Sequence, residues 1–424
     1  MRERLKRLAP KSMIRIYQRA RYLGITALFF AARLFPIRKN LVVLCSVWGY
    51  GDNSKYVAEE LIARKRAAAR GERPGDTSAQ RAAKLSEKER KFWRGLRVVF
   101  ITNHPEQAPV CPELTVRKTN TPRAVFALAR ARVWVDNNRK EAYIRKRKGQ
   151  YYIQLWHGGL ALKKIEGDCA QVLGAEYISR ARKDSAATDL FVSNSDFCTQ
   201  MYRRAFWAAC EIAEYGSPRN DRFVRLAKEA AGKAAEHAGT SRPRRAVYAP
   251  TYRTGRKSFC AFDAGRLQAA LGERFGGEWE ILVRLHPLAA EGRDLREMPG
   301  VRDISEEPDL YEILYKADVL ITDYSNTMFE FGMTGRPVFL YAEDIGAYER
   351  ERGLYFDFEA LPFAKADTAE ELYRQIREYD PERYREELRR LYVSVGLKES
   401  GRAAGLVAER IAEKCAGETK GNAD

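Results

Sequence analysis

Short apolar runs rich in β-branched residues alternate along most of the chain with stretches of helical periodicity. Leu41–Val47, Leu96–Thr102, Ala131–Val135, Tyr151–Trp156 and Leu190–Ser193 read as buried strands. Helical patterns fall between them, at Ser54–Arg66 (with Ser54 as the expected cap), Pro122–Arg130 and Phe197–Ala209. After a Gly/Ala/Lys-rich segment at 229–243, a second series begins with Ala246–Ala249, Trp279–Leu285, Val301–Ile304, Val319–Thr322 and Val338–Tyr341. Strands this continuously apolar are buried on both faces, which predicts parallel sheets covered by helices. The expectation is an α/β protein of two facing Rossmann-like domains, over 41–228 and 244–390, with a C-terminal helix and polar tail at 391–424. In such sheets ligands bind at the carboxyl ends of the strands. No internal repeat is seen beyond this duplication of architecture.

The charge changes the picture only in two segments of the first hundred residues. The 424 residues carry a formal net charge of +18, which by itself suggests nucleic acid, an anionic membrane or phosphorylated substrates. Residues 1–40 hold +10 of it, 64–97 hold +8, and the rest of the chain is nearly neutral. A body without basic excess, and without a DNA- or RNA-reading module, argues against a nucleic-acid partner. Within 1–40 the longest charge-free apolar stretch is Tyr22–Ala32, 11 residues, where a spanning helix needs about 20. As a helix, the segment sets Lys11, Arg15 and Arg19 opposite Met13, Ile16, Tyr17 and Ala20, with Arg21 intruding on the apolar side. This predicts a peripheral, membrane-associating basic helix; the alternative is a helix packed on its own domain. Residues 67–91 lack apolar periodicity and read as an exposed charged insertion. The seven cysteines are scattered without metal spacing, as in a cytoplasmic protein with reduced thiols.

Two of the four histidines directly follow predicted strands, in Trp156-His157-Gly158-Gly159 and Arg284-Leu285-His286-Pro287. That is the ligand-binding edge of an α/β sheet, and together they are the candidate acid/base groups; His104 and His237 sit in polar contexts without such placement. The segment Thr322-Asp-Tyr-Ser-Asn326 ends a strand and starts a helix running to about Met333. Its backbone N–H groups and hydroxyls suit a phosphate, and equally suit routine capping by Ser325. Arg253, in Tyr248-Ala-Pro-Thr-Tyr-Arg253, and Arg284 are candidate partners for a diphosphate. No Walker A, HExxH, GxSxG or zinc-deaminase pattern occurs, and no DxD-type metal motif stands out.

The ordered set of motifs resembles the CDP-glycerol glycerophosphotransferases of teichoic-acid synthesis. It comprises Gly51-Asp-Asn-Ser-Lys-Tyr56, Gln154-Leu-Trp-His-Gly158 with Lys163, Lys164 and Asp168, Val192-Ser-Asn-Ser195 and Gly216-Ser-Pro-Arg-Asn-Asp221. Tyr248–Arg253, Arg284–Pro287, Asp318–Ser325 and Gly353-Leu-Tyr-Phe-Asp-Phe358 complete it, over about residues 41–390. The resemblance implies a GT-B glycosyltransferase-like fold at the cytoplasmic membrane face, with CDP-glycerol as donor substrate and no tightly bound cofactor. It implies that a hydroxyl of a lipid-linked polyol-phosphate or glycan acceptor attacks the β-phosphorus and releases CMP. Its essential histidines map to His157, the preferred general base, and His286, the preferred phosphate contact, with the roles exchangeable. Arg253, Arg284, Thr322, Asp323, Ser325 and Asn326 map to the donor side, where Asp323 alternatively orients a histidine or ribose. Gly49, Asp52, Asn53 and Gly158 are expected, on the same resemblance, in the acceptor-side loops. The sequence departs from the family pattern at Gly159 (commonly Thr), Asn326 (commonly Ser), Tyr252 (commonly Trp) and Thr254 (often acidic). Relatives using CDP-ribitol, or a nucleotide-sugar glycosyltransferase of the same fold, are the alternatives.

Overall fold

Leu41 to Leu44 are wholly enclosed, and they form the middle of a parallel sheet, as a run of β-branched and leucine residues with no polar alternation must. The structure, a computed structural model, describes residues 11–72, 85–232, 242–251, 261–285 and 298–416. The first sheet contains β1 (Arg38–Cys45), β2 (Arg97–Thr102), β3 (Leu114–Lys118), β4 (Ala131–Asp136), β5 (Tyr151–Gln154), β6 (Leu190–Val192) and β7 (Glu211–Ala213), in the order β3-β2-β1-β4-β5-β6-β7. The second contains β8 (Arg244–Tyr248), β9 (Trp279–Val283), β10 (Val301–Asp303), β11 (Val319–Thr322), β12 (Val338–Tyr341) and β13 (Ala364–Ala366), in the order β10-β9-β8-β11-β12-β13. The pairings of β1 with β2 and β4, and of β8 with β9 and β11, are parallel. Counted from its own first strand, the second sheet has the 3-2-1-4-5-6 order of a Rossmann fold, with its switch point between β8 and β11.

Tertiary contacts divide the chain into two units. One comprises Met1–Trp156, Ala187–Leu190 and Gly405–Asp424; the other, His157–Ala186 and Phe191–Ala404. Residues 157–186 and 191–228, expected in the first domain, therefore group with the second unit, although β6 and β7 pair in the first sheet. The physical reason is local. The loop after β5 bonds to the loops of the second sheet, through Leu162 N to Asn326 Oδ1 (3.0 Å) and Lys164 N to Gly353 O (3.1 Å). Helix Ala403–Ala416 returns to the first unit, where Arg132 Nε donates to Lys414 O at 2.8 Å.

Helix Lys11–Ala32 divides along its length. Ile25, Phe29 and Ala32 are buried in the core formed by Leu41, Val43, Val125 and Trp134, so the last turns pack on their own domain. Met13, Ile16, Tyr17 and Leu23 are exposed on the earlier turns. Arg21, the cation that intrudes on the apolar side, donates to Asn120 O at 3.3 Å. Among the described residues no helix is long and apolar enough to cross a membrane.

Other local expectations shift by a few residues. The helix after β1 runs Asp52–Arg70 with Gly51 at its cap position, and Ser54 does not cap it. The Ser54 hydroxyl is instead buried between Cys45 O (2.8 Å) and Asn137 Oδ1 (2.6 Å), tying the helix to β1 and the end of β4. The expected insertion at 67–91 starts with the end of that helix and reaches the capping box of helix Glu87–Gly95, where Ser86 and Glu89 bond reciprocally. Its segment 73–84 lies outside the described residues.

Candidate active site

The strand β5 ends in Gln154, which is fully buried and shapes the turn after it. Its Nε2 donates to Asn138 O (3.0 Å) and Tyr152 Oη (2.9 Å), while its Oε1 accepts from Trp156 N (2.9 Å). Trp156 is thereby held at φ +55°, a left-handed conformation that a bulky residue adopts only when its surroundings fix it. Asn53 Nδ2 donates to Trp156 O at 2.9 Å. Asp52, at φ +58°, accepts from Asn53 N (2.7 Å) and Asn137 Nδ2 (2.9 Å). Gly49 lies at φ +145°, with the Gln107 carboxamide where a side chain would go. Asp52 and Asn53 thus brace the turn that precedes His157, and the His157 side chain itself is exposed.

In the second unit, the two glycines after His157 are places of close approach. A Cβ at Gly158 would stand 3.0 Å from Asn326 Nδ2, and one at Gly159 would collide with the Asn194 carboxamide, whose Cγ lies at 3.0 Å. Cys198 Sγ donates to Gly159 O at 3.2 Å. The same loop continues into Leu162, whose N–H donates to Asn326 Oδ1 at 3.0 Å. Asn326 therefore joins the histidine loop to the Thr322–Asn326 segment. Its side chain makes no capping bond to the six-residue helix Thr327–Gly332 that follows.

The remaining residues of that segment are engaged as follows. Thr322 Oγ1 donates to Ala249 O at 2.7 Å, and Thr322 is fully buried. Asp323 is 1% exposed, and its carboxylate accepts from Thr251 N (2.9 and 3.0 Å), Thr251 Oγ1 (2.6 Å) and Tyr324 N (2.6 Å). These two residues fasten the ends of β8 and β11 together. Ser325 Oγ is half-buried and accepts from Thr327 N (3.3 Å). Arg284, just past β9, has a buried Nη1 without a hydrogen-bond partner among the described residues, and burial pushes its guanidinium below its ordinary pKa. An enclosed cation with an unfilled donor is suited to an anionic ligand. Arg253 and His286 lie outside the described residues, as does His237. His104 is exposed, with Nδ1 3.0 Å from Glu106. Among the described residues no group of three or more His, Cys, Asp or Glu side chains is placed to hold a metal ion.

The lysines of the histidine loop are placed against the Gly353–Phe358 stretch. Lys163 pairs with Leu354 across an isolated bridge, and its ammonium sits 3.8 Å from the centre of the Tyr348 ring. Asp168 receives a bidentate Arg204 (2.7 and 2.7 Å) and the Tyr355 hydroxyl (2.6 Å). Burial alone would raise the Asp168 carboxyl, but these donors hold it below its ordinary value.

One cluster had no signal in the sequence reading. Glu399 accepts from Asn194 Nδ2 (2.9 Å), Asn220 Nδ2 (2.8 Å) and Ser217 N (3.1 Å), directly beneath the side chain that crowds Gly159. Burial first, then the nearby charge of Asp221, pushes its carboxyl up to about 7, against the opposing effect of those N–H donors. Asn194 and Asn220 belong to conspicuous motifs, but Glu399 stands about two hundred residues from Asn194 and in no motif of its own.

The model of the family described as CDP-Glycerol:Poly(glycerophosphate) glycerophosphotransferase matches residues 73–413. A teichoic acid poly(glycerol phosphate) polymerase of Staphylococcus epidermidis is 28% identical over 344 residues, covering 77% of this chain and 48% of the relative. The polymerase of that name from Bacillus subtilis (strain 168) is 32% identical over 275 residues, covering 62% of this chain and 37% of the relative. The chain thus spans less than half the length of these two curated relatives. Among solved structures, the wall teichoic acid polymerase TagF shares the fold, with a TM-score of 0.73 and 24% identity over 95% of this chain and 97% of that one.

Proposed function

Because the chain belongs to the CDP-glycerol:poly(glycerophosphate) glycerophosphotransferase family, we propose that it transfers glycerol phosphate from CDP-glycerol to a hydroxyl of a membrane-linked acceptor. The product is a phosphodiester of teichoic acid or a related cell-surface polymer, and CMP is released. The observation that carries this reading is the Asn326–Leu162 hydrogen bond, which sets the His157 loop beside the candidate donor-phosphate segment within one unit. In this mechanism His157 takes the proton of the acceptor hydroxyl as its oxygen attacks the β-phosphorus. The bond from that phosphorus to the bridging oxygen breaks, and CMP leaves with the electron pair. An imidazole near neutrality suits a general base, a role typically worth about 10²–10⁴-fold. His286, Arg253, Arg284 and Ser325 neutralise the diphosphate, with the two histidine roles open to exchange. Thr322 and Asp323 act indirectly, by fixing the loop. The two-sheet fold is read as GT-B-like, with the protein peripheral at the cytoplasmic membrane face and helix Lys11–Ala32 as its contact.

The test is CMP release on incubation with CDP-glycerol and a lipid-linked acceptor. His157→Ala and His286→Ala each abolish turnover on this reading, and full activity in both variants overturns the mechanism. CDP-ribitol and UDP- and GDP-sugars run in parallel decide the donor. Consumption of one of these with CDP-glycerol ignored overturns the assignment.

A further inference from the structure

Away from the strand ends that carry the proposed chemistry, the first unit has a cavity of about 610 Å³. Arg38 at the start of β1, Gly95 and Leu96 just before β2, and Arg97 within it place this cavity at the amino edge of the sheet. Six arginines line it: Arg38, Arg94, Arg97, Arg117, Arg123 and Arg130. Glu113 is the one acidic residue in the described lining, and its carboxylate is already bound by Arg66 at 3.1 Å. Arg38, Arg94, Arg97 and Arg123 have no ion-pair or side-chain hydrogen-bond partner among the described residues. Burial and the like charges of Arg38 and Arg97 hold the Arg130 guanidinium below its ordinary pKa. So many uncompensated guanidinium groups around one cavity favour an anionic occupant, and their planar forks suit phosphate oxygens.

The rest of the wall is apolar. Leu28, Leu41, Val99 and Phe126 contribute to it, and Leu28 comes from helix Lys11–Ala32. Beside it, Leu34 is 88% exposed and Phe35 51% exposed, the Phe35 ring lying 5.3 Å from that of Phe126. A free, fully hydrated anion gains nothing from such a collar, whereas a phosphate carried on an amphiphile meets both parts. We infer that this cavity receives the phosphate of an anionic phospholipid at the membrane surface, at a site separate from the donor site. The inference rests on the membrane-face reading above.

The test is cosedimentation of the full chain with vesicles of phosphatidylcholine alone or mixed with phosphatidylglycerol, at fixed ionic strength. Wild type sediments with the mixed vesicles only. Arg38→Gln/Arg97→Gln/Arg123→Gln weakens this binding at least tenfold. The charge-matched control Arg377→Gln/Arg389→Gln/Arg390→Gln, which removes exposed arginines paired with Glu273 and Glu386, weakens it less than twofold. Equal losses in the two triple variants mean diffuse attraction and overturn the inference while leaving the membrane reading in place. Absence of wild-type binding to either vesicle overturns the membrane reading itself. Should the triple variant not fold, Arg97→Glu at its exposed position applies the same criterion with one change. Inorganic phosphate that raises the melting temperature of wild type, but not of the variant, without vesicle binding assigns the cavity to free phosphate and overturns the headgroup assignment.

Discussion

Asn194 Nδ2 donates to Glu399 at 2.9 Å, and the carboxamide so held occupies the space that a side chain at Gly159 would need. The conformation of the histidine loop is therefore set from below by a carboxylate with no place in the motif.

Gly159→Ala forces the new methyl against Asn194, which Glu399 prevents from swinging away. Overpacking of this kind costs about 1–3 kcal/mol. Urea unfolding should show that loss, and Gly159→Ala/Asn194→Ser should recover part of it. Additive losses in the double variant would remove Asn194 as the obstacle.

The raised pKa of Glu399 gives a definite slope with pH. The folded chain holds this proton up to about pH 7, against an ordinary value of 4.5, so it binds the proton more tightly than the unfolded chain does. The stabilisation is complete below about pH 4.5 and is lost as pH rises through 7. Relative to Glu399→Gln, wild type should lose on the order of 3 kcal/mol between about pH 4.5 and pH 7.5, less whatever relaxation recovers. Denaturant midpoints across that interval measure it, and a slope of the opposite sign refutes the assignment.

Arg219 and Glu330 form a buried pair at 2.6 Å, with side chains 5% and 3% exposed, and the Tyr311 hydroxyl also bonds Glu330. Arg219→Met leaves that carboxylate buried without its cation, a loss of about 3–5 kcal/mol. Arg219→Met/Glu330→Leu should regain much of it, since the uncompensated charge rather than the missing attraction is responsible. Chemical denaturation of the three variants distinguishes these outcomes.

Asn326→Ala deletes the acceptor for Leu162 N and the link between the histidine loop and the Thr322–Asn326 segment. One net hydrogen bond is worth about 1 kcal/mol, so kcat/KM for CDP-glycerol should fall roughly fivefold while the melting temperature moves little. An unchanged kcat/KM would show that the two loops do not depend on each other.

The central strands were legible because each is a continuous apolar run, as in Leu41–Leu44 and Val319–Ile321. Three of the four strands at the sheet edges were not. The strands β3 (Leu114–Lys118), β7 (Glu211–Ala213) and β13 (Ala364–Ala366) are short and partly polar, and pairing rather than composition defines them. His157 could be placed at a strand end from sequence alone, since the turn that carries it is local. Glu399 could not, because only the folded chain brings it under Asn194. Ser54 misled for the same reason: its hydroxyl satisfies a cap in principle, but Asn137, more than eighty residues on, takes it.

Ile25, Phe29 and Ala32 make the last turns of the N-terminal helix part of the core beneath β1. A segment built in this way has no slack and cannot serve as a leash. Whatever surface its first turns rest on, the first sheet is held at a set height and attitude above it, like a bracket fixed to a wall.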